Sequence, residues 1–156
     1  MELIDYDKKY DEQIKDLLVE LQNYLIDIDD WHTQVLKPNY REDYFKHDMN
    51  KNGKIFLCID NNTVIGFVLG VIDEKDELDK LTNVCEKTGS VLELIVDKDY
   101  RSNGIGKALL NKIEEYFKNL SCKQINIEVF GPNVNGLNFY LKNGYTTRDF
   151  VVSKRI

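Results

Sequence analysis

The sequence predicts one mixed α/β domain of the α+β type: a mostly antiparallel sheet, helices on both faces, and a central β-α-β unit. Three observations predict it. Apolar periodicity switches between two and about 3.6 residues in the order β-α-α-β-β-β-α-β-α-β. Asp60-Asn61-Asn62 separates two apolar runs as a hairpin turn does. Finally, a strand, a glycine-containing turn, a helix and a further strand follow one another. A helical crossover returns the chain to the same sheet, so this unit requires one parallel pair.

The elements follow in order. Leu3 to Tyr6 reads as a short first strand. From Asp11 onward, Ile14, Leu17, Leu18, Leu21, Leu25 and Ile28 recur at three- and four-residue spacing, the mark of an amphipathic helix. The polar stretch from Asp29 to Gln34, interrupted by Trp31, breaks it. Pro38 suits the first turn of a second helix carrying Tyr40, Tyr44 and Phe45, and Asn50 to Gly53 ends that helix. Lys54 to Ile59 and Thr63 to Ile72 are the hairpin strands. Asp73 to Gly89 is a polar connection, and Ser90 to Val96 is the next strand. After Gly104, a helix puts Ile105, Ala108, Leu109, Ile113, Tyr116, Phe117 and Leu120 on one face. Gln124 to Phe130 alternates as a strand. Asn135 to Lys142 is a short helix stopped by Asn143-Gly144, and Tyr145 to Ser153 is a closing strand.

Composition narrows the function classes. A length of 156 residues suits one domain, residues 1–156, with a core of its own. No apolar run approaches a membrane span, and the charged start Met1-Glu-Leu-Ile-Asp-Tyr-Asp does not read as a signal peptide. Cys58, Cys85 and Cys122 have no metal-ligand spacing, and their odd number argues against a disulfide framework. Metal is not expected, and a cytoplasmic location is the default. The net charge of −6 and the lack of a basic stripe argue against nucleic acid as partner. No membrane partner is expected either. An acidic surface is compatible with a cationic substrate and equally with simple solubility.

The richest stretch is Val91 to Leu110. Its apolar run ends in Asp97-Lys-Asp-Tyr-Arg101-Ser-Asn-Gly104-Ile-Gly106, and a helical pattern begins at once. Such a turn offers free backbone N–H groups to a phosphate at a helix N-terminus. A dinucleotide fingerprint would need glycine where Leu109 stands. A P-loop would need glycine at Arg101 and a hydroxyl residue at Ala108. Both nucleotide loops are therefore excluded, and a phosphorylated ligand of another kind remains beside a plain turn.

With Leu94-x-Val96, Arg101-x-x-Gly104-x-Gly106 and, downstream, Asn133-x-x-Gly136-x-x-Phe139-Tyr140-x-x-x-Gly144-Tyr145, the chain resembles the GNAT superfamily of acyl-CoA N-acyltransferases. These motifs cover roughly residues 90 to 146. Two positions depart from the usual pattern: Ser102 stands where glycine is common, and Gly136 where alanine is common. The resemblance implies acetyl-CoA as co-substrate. Its pyrophosphate would lie on the backbone of Ser102, Asn103, Gly104, Ile105, Gly106 and Lys107, with Arg101 and Lys107 adding charge. Its pantetheine arm would run along Leu94, Ile95 and Val96, between that strand and the splayed strand from Gln124. Asn133 would touch the cofactor from the second side.

The chemistry so implied needs a proton acceptor, a polarised thioester and a proton donor for the thiolate. At pH 7 an alkylamine with pKa near ~10.4 is almost wholly protonated, so a base is useful. A backbone N–H near Ile95 or Val96 could polarise the carbonyl. Tyr140 matches the family tyrosine that protonates the thiolate. Glu93 and Glu128 both qualify as base: Glu93 shares a strand face with Ile95, and Glu128 stands in the strand from Gln124 to Phe130. For the acceptor, Tyr24, Asp27, Asp29, Asp30, Trp31 and His32 form an acidic and aromatic segment. That segment suits a cationic amine, with Asp27, Asp30 and Trp31 as binding candidates, or is simply a solvated helix end. A small-molecule amine or a peptide is the expected acceptor. The closing strand could pair with a second copy in a homodimer.

Overall fold

The computed structural model describes residues 1–31, 35–75, 77–82 and 87–156. His32 and Cys85 lie outside the described residues. The chain runs β1 (Glu2–Asp5), α1 (Asp11–Ile28), α2 (Tyr40–Met49), β2 (Lys54–Asp60), β3 (Thr63–Ile72), α3 (Glu77–Thr82), β4 (Thr88–Val96), α4 (Ile105–Asn119), β5 (Gln124–Ile127) and α5 (Val134–Lys142). The strands form one five-stranded sheet in the order β1-β2-β3-β4-β5. Every neighbouring pair is antiparallel except β4–β5, which the α4 crossover makes parallel.

Strand alternation builds two cores. Ile55, Leu57 and Ile59 of β2 face one side with Ile14, Leu17 and Leu18 of α1 and Phe45 of α2. Phe56 and Cys58 face the other, with Leu109, Leu110, Ile113 and Phe117 of α4. Helices therefore cover both faces, each through an apolar stripe at helical spacing. An ionic network fixes α2 against α1. The Arg41 guanidinium contacts Glu12 and Asp16 at 2.8 Å each, and Lys15 Nζ contacts Glu42 at 2.7 Å. Cys58 is buried and Cys122 half-buried, both as free thiols.

Four expectations need correction. Residues Tyr145 to Ser153 do not form a closing strand. Residues 145–156 lack regular structure, and Phe150, Val151 and Val152 are 83%, 94% and 91% exposed. Strand-prone side chains need a partner edge, and among the described residues no strand pairs with this segment. Instead Tyr145 packs its ring 5.8 Å from that of Tyr140 and its hydroxyl donates to Glu114 Oε1 at 2.9 Å. The fifth strand ends at Ile127, three residues short of Phe130. Pro38 lies in the turn before α2, where the Tyr40 amide donates to the Lys37 carbonyl, and is not inside the helix. The connection after Asp73 contains the short helix α3, and β4 already begins at Thr88.

Candidate active site

The site is organised by an irregularity in β4. Pairing with β3 runs in register from Gly66↔Val96 to Leu69↔Glu93, then jumps to Gly70↔Val91, leaving Leu92 as an extra residue. Such a bulge bends its strand. Pairing of β4 with β5 stops at the same place, at Val91↔Ile127. Beyond it, the β4 edge over Leu92 to Val96 has no strand beside it. Leu94, Ile95 and Val96, the residues expected to line a splay between the strands, lie on this unpaired stretch. Leu94 and Val96 turn to the α4 side and Ile95 to the α1 side. The Val96 carbonyl is already taken: it accepts from Arg101 Nε at 3.0 Å.

The glycine turn follows directly. Gly104 has φ +80° and forms the N-terminal boundary of α4, which no side chain caps. The first-turn N–H groups of α4 are therefore offered outward at the positive end of the helix dipole. Ser102 has φ +66°, in the left-handed region that favours glycine. Glycine would adopt this conformation without strain; here serine bears it. Gly106 is half-buried, Ile105 is buried under the turn, and Ser102, Asn103 and Lys107 are exposed. Asn103 Nδ2 closes the turn by donating to the Tyr100 carbonyl at 3.2 Å. The Arg101 guanidinium pairs with Glu20 Oε1 at 3.0 Å and lies over the Tyr24 ring.

Across the splay stands α5. The Asn133 side chain caps it, Oδ1 accepting from the Gly136 N–H at 3.0 Å and from the Tyr24 hydroxyl at 3.2 Å. A Cβ on Gly136 would come within 2.6 Å of Asn133 Nδ2, so glycine leaves that side chain room to fold back onto the helix. The Tyr140 ring packs edge-on against Phe139 at 5.1 Å. Burial, with a smaller contribution from the negative charge of Glu93, pushes the Tyr140 phenol up to about 12. It thus holds its proton at any physiological pH.

Glu93 is buried, 7% exposed, in the middle of β4. Its Oε1 accepts from the Tyr44 hydroxyl of α2 at 2.8 Å. Withdrawal from water raises its carboxyl to about 7; Asp48 adds to the rise, while the Tyr44 hydrogen bond opposes it. Burial and the nearby carboxylates raise the Tyr44 and Tyr40 phenols as well, and the two rings stack at 5.0 Å. Tyr40, Tyr44 and Asp48 were not singled out for this role from sequence. Their signal is the four-residue spacing, which puts all three on one stripe of α2.

The other expected residues lie elsewhere. Glu128 follows the end of β5 and is exposed, so it is not the mid-strand carboxylate the sequence pattern implied. Asp27 and Asp30 are exposed at and just beyond the end of α1. Trp31 is 56% exposed, and the cation over its ring, at 4.8 Å, is the chain's own Arg155, which also donates to the Asp30 carbonyl at 2.6 Å. Among the described residues no group of His, Cys, Asp or Glu could hold a metal ion, and no helix is long and apolar enough to cross a membrane.

Comparison with known proteins bears on the family and the fold. A profile of the Acetyltransferase (GNAT) family matches residues 20–145. An uncharacterised N-acetyltransferase of Methanocaldococcus jannaschii is 29% identical over 109 residues, 69% of this chain and 46% of that protein. The chain thus spans about half the length of that relative. The solved structure of a tetramutant of the BH1408 protein from Bacillus halodurans superposes with a TM-score of 0.81 at 16% identity, covering 100% of both chains. The aminoglycoside N-acetyltransferase AAC(6')-Iy in complex with CoA superposes with a TM-score of 0.69 at 14% identity, covering 99% of this chain and 98% of that one. At these identities the two structures establish a shared fold.

Proposed function

The chain belongs to the GNAT acetyltransferase family, and on that premise we propose that it is a single-domain, acetyl-CoA-dependent N-acetyltransferase acting on a small cationic primary amine. The observation that carries the assignment is Glu93: a buried carboxyl, held by Tyr44, raised to about 7, beside the open edge of β4. A carboxyl of that strength accepts a proton at neutral pH and is half-ionised there, which is what a general base for an ammonium group requires.

In this mechanism Glu93 takes the proton of the amine, and the amine nitrogen attacks the thioester carbonyl carbon. The carbon–sulfur bond breaks, and Tyr140 supplies the proton to the departing thiolate. A thiolate whose thiol titrates near ~8.5 is a weaker base than the raised phenolate, so Tyr140 regains a proton as it gives one up, through water, from the N–H that the new amide nitrogen sheds; Glu93 returns the ammonium proton to solvent. The α4 amides at Ile105, Gly106 and Lys107, with the turn at Ser102 to Gly104, would hold the pyrophosphate. The edge of Leu94 to Val96 would hold the pantetheine arm. Asn133 is committed to capping α5, so it supports the second wall through that helix. Arg101, bound to Glu20 and the Val96 carbonyl, locks the turn as much as it adds charge. The acceptor enters on the α2 side, where Glu93, Tyr44, Tyr40 and Asp48 supply negative charge and aromatic faces.

The test is release of free thiol from acetyl-CoA against a panel of alkylamines, aminosugars and peptides, with pH profiles. Turnover with a small amine, an acidic limb near pH 7, its loss in Glu93→Gln and its survival in Glu128→Gln are expected. Tight acetyl-CoA binding with no thiol release from any acceptor would replace the enzyme by an acyl-CoA sensor. Turnover restricted to peptides would replace the small amine by a protein acceptor.

A further inference from the structure

Tyr40, Tyr44 and Asp48 share one stripe of α2, and Tyr44 ties that stripe to Glu93. Asp48 is 4% exposed, and its Oδ2 is buried without a hydrogen-bond partner among the described residues. Leaving such an acceptor unmet is costly. The groups that act on Glu93 are Tyr44 and Asp48 of α2 and Lys51 just beyond that helix; Glu93 in turn acts on Tyr40 and on Tyr140 of α5. His47 and Lys51 act on Asp48, but both are exposed, and among the described residues neither forms an ion pair with Asp48 or Glu93. Two carboxyl groups withdrawn from water with no cation against them resist ionising together.

We propose that Asp48 is a positioning residue that acts through Glu93: its buried carboxylate supplies the fixed negative charge beside which Glu93 picks up the proton of the reacting amine. The proposal rests on the assignment of Glu93 as base. The rise of the Glu93 carboxyl, owed first to burial and in part to Asp48, accords with it; the rise of Asp48 comes from its own burial. This role of Asp48 also accounts for retention of a buried, unsatisfied oxygen that packing alone would disfavour. Removing the charge should make Glu93 a weaker base.

The experiment follows the Glu93 carboxyl carbon by 13C NMR through a pH titration of the acetyl-CoA-free protein, alongside the pH profile of kcat/KM for the best amine. In Asp48→Asn, which keeps the shape and loses the charge, the Glu93 midpoint falls by about one pH unit, and the acidic limb moves down with it. Asp48→Ser, a smaller neutral replacement, gives the same direction. Asp48→Glu returns both quantities toward the wild-type value. An unmoved midpoint in the neutral variants overturns the proposal, as does an equal fall in Asp48→Glu. A midpoint that falls while Glu93→Gln leaves the acidic limb intact overturns the base assignment, and with it the part of Asp48 in the reaction. The electrostatic pairing would then stand on the titration alone.

Discussion

Replacing Glu93 by glutamine should stabilise the fold in alkaline solution and not in acid. The Glu93 carboxyl titrates at about 7 in the folded protein, against an ordinary value of 4.5. Below the unfolded value both states carry the proton, and the group contributes its full share of stability. As the pH rises from 4.5 towards 7, the unfolded chain releases its proton first, and stability is lost. Above 7 both states are ionised and the loss is complete. A gap of that size, at about 1.4 kcal/mol per pH unit, makes the total loss about 3 kcal/mol. By the same arithmetic about 1 kcal/mol of it has already gone at pH 5. Glutamine cannot ionise and escapes it. For a chain of this length, about 2–4 °C of Tm accompanies each kcal/mol. The Tm advantage of Glu93→Gln over wild type should therefore be roughly 4–10 °C larger at pH 8 than at pH 5. The comparison between the two pH values cancels whatever the amide does to the Tyr44 hydrogen bond, since that effect does not titrate. Thermal melts by circular dichroism in matched ionic strength provide the measurement. An advantage of equal size at both pH values would refute the reasoning, because it would mean that the buried carboxyl carries no ionisation penalty.

Two further outcomes follow from the opposite wall and the turn. Tyr140→Phe should lower kcat by about 10-fold to 10³-fold with little change in acetyl-CoA affinity, read from steady-state kinetics and a binding titration, because it removes a proton donor and keeps the ring packing. Ser102→Gly should raise stability by about 0.5–1 kcal/mol, a Tm gain of about 1–4 °C, since relief of the left-handed backbone outweighs the added freedom of the unfolded chain; Ser102→Val should lower Tm.

The parts of this molecule that were legible in the sequence are those encoded by near neighbours. The α4 stripe, the glycine turn, the Asp60–Asn62 hairpin and the α5 motif each occupy a continuous stretch, and each appears where the pattern puts it. The acidic wall of the site was not legible, because it is made across distance. The bond from Tyr44 to Glu93 joins residues 49 apart in sequence, and that from Tyr24 to Asn133 joins residues 109 apart. Glu93 was identifiable as a carboxylate in an apolar strand, but the same argument selected Glu128, and only the end of β5 separates a buried residue from an exposed one. The tail misled for a related reason. Phe150-Val151-Val152 has strand composition, but composition does not reveal whether an edge is there to receive it. In sequence Trp31 reads as a candidate ring for a cationic substrate; the cation over it is the chain's own Arg155.

Leu92 casts the groove as a matter of arithmetic. Opposite Leu69 and Gly70, β4 spends three residues, Val91 to Glu93, where β3 spends two. That surplus of one residue coincides with the point at which the sheet stops closing on β5. The opening beside β4 thus begins at the residue where β4 outruns β3. A single deletion at Leu92, which changes no functional group, would remove that surplus and with it the bend of β4 against β3.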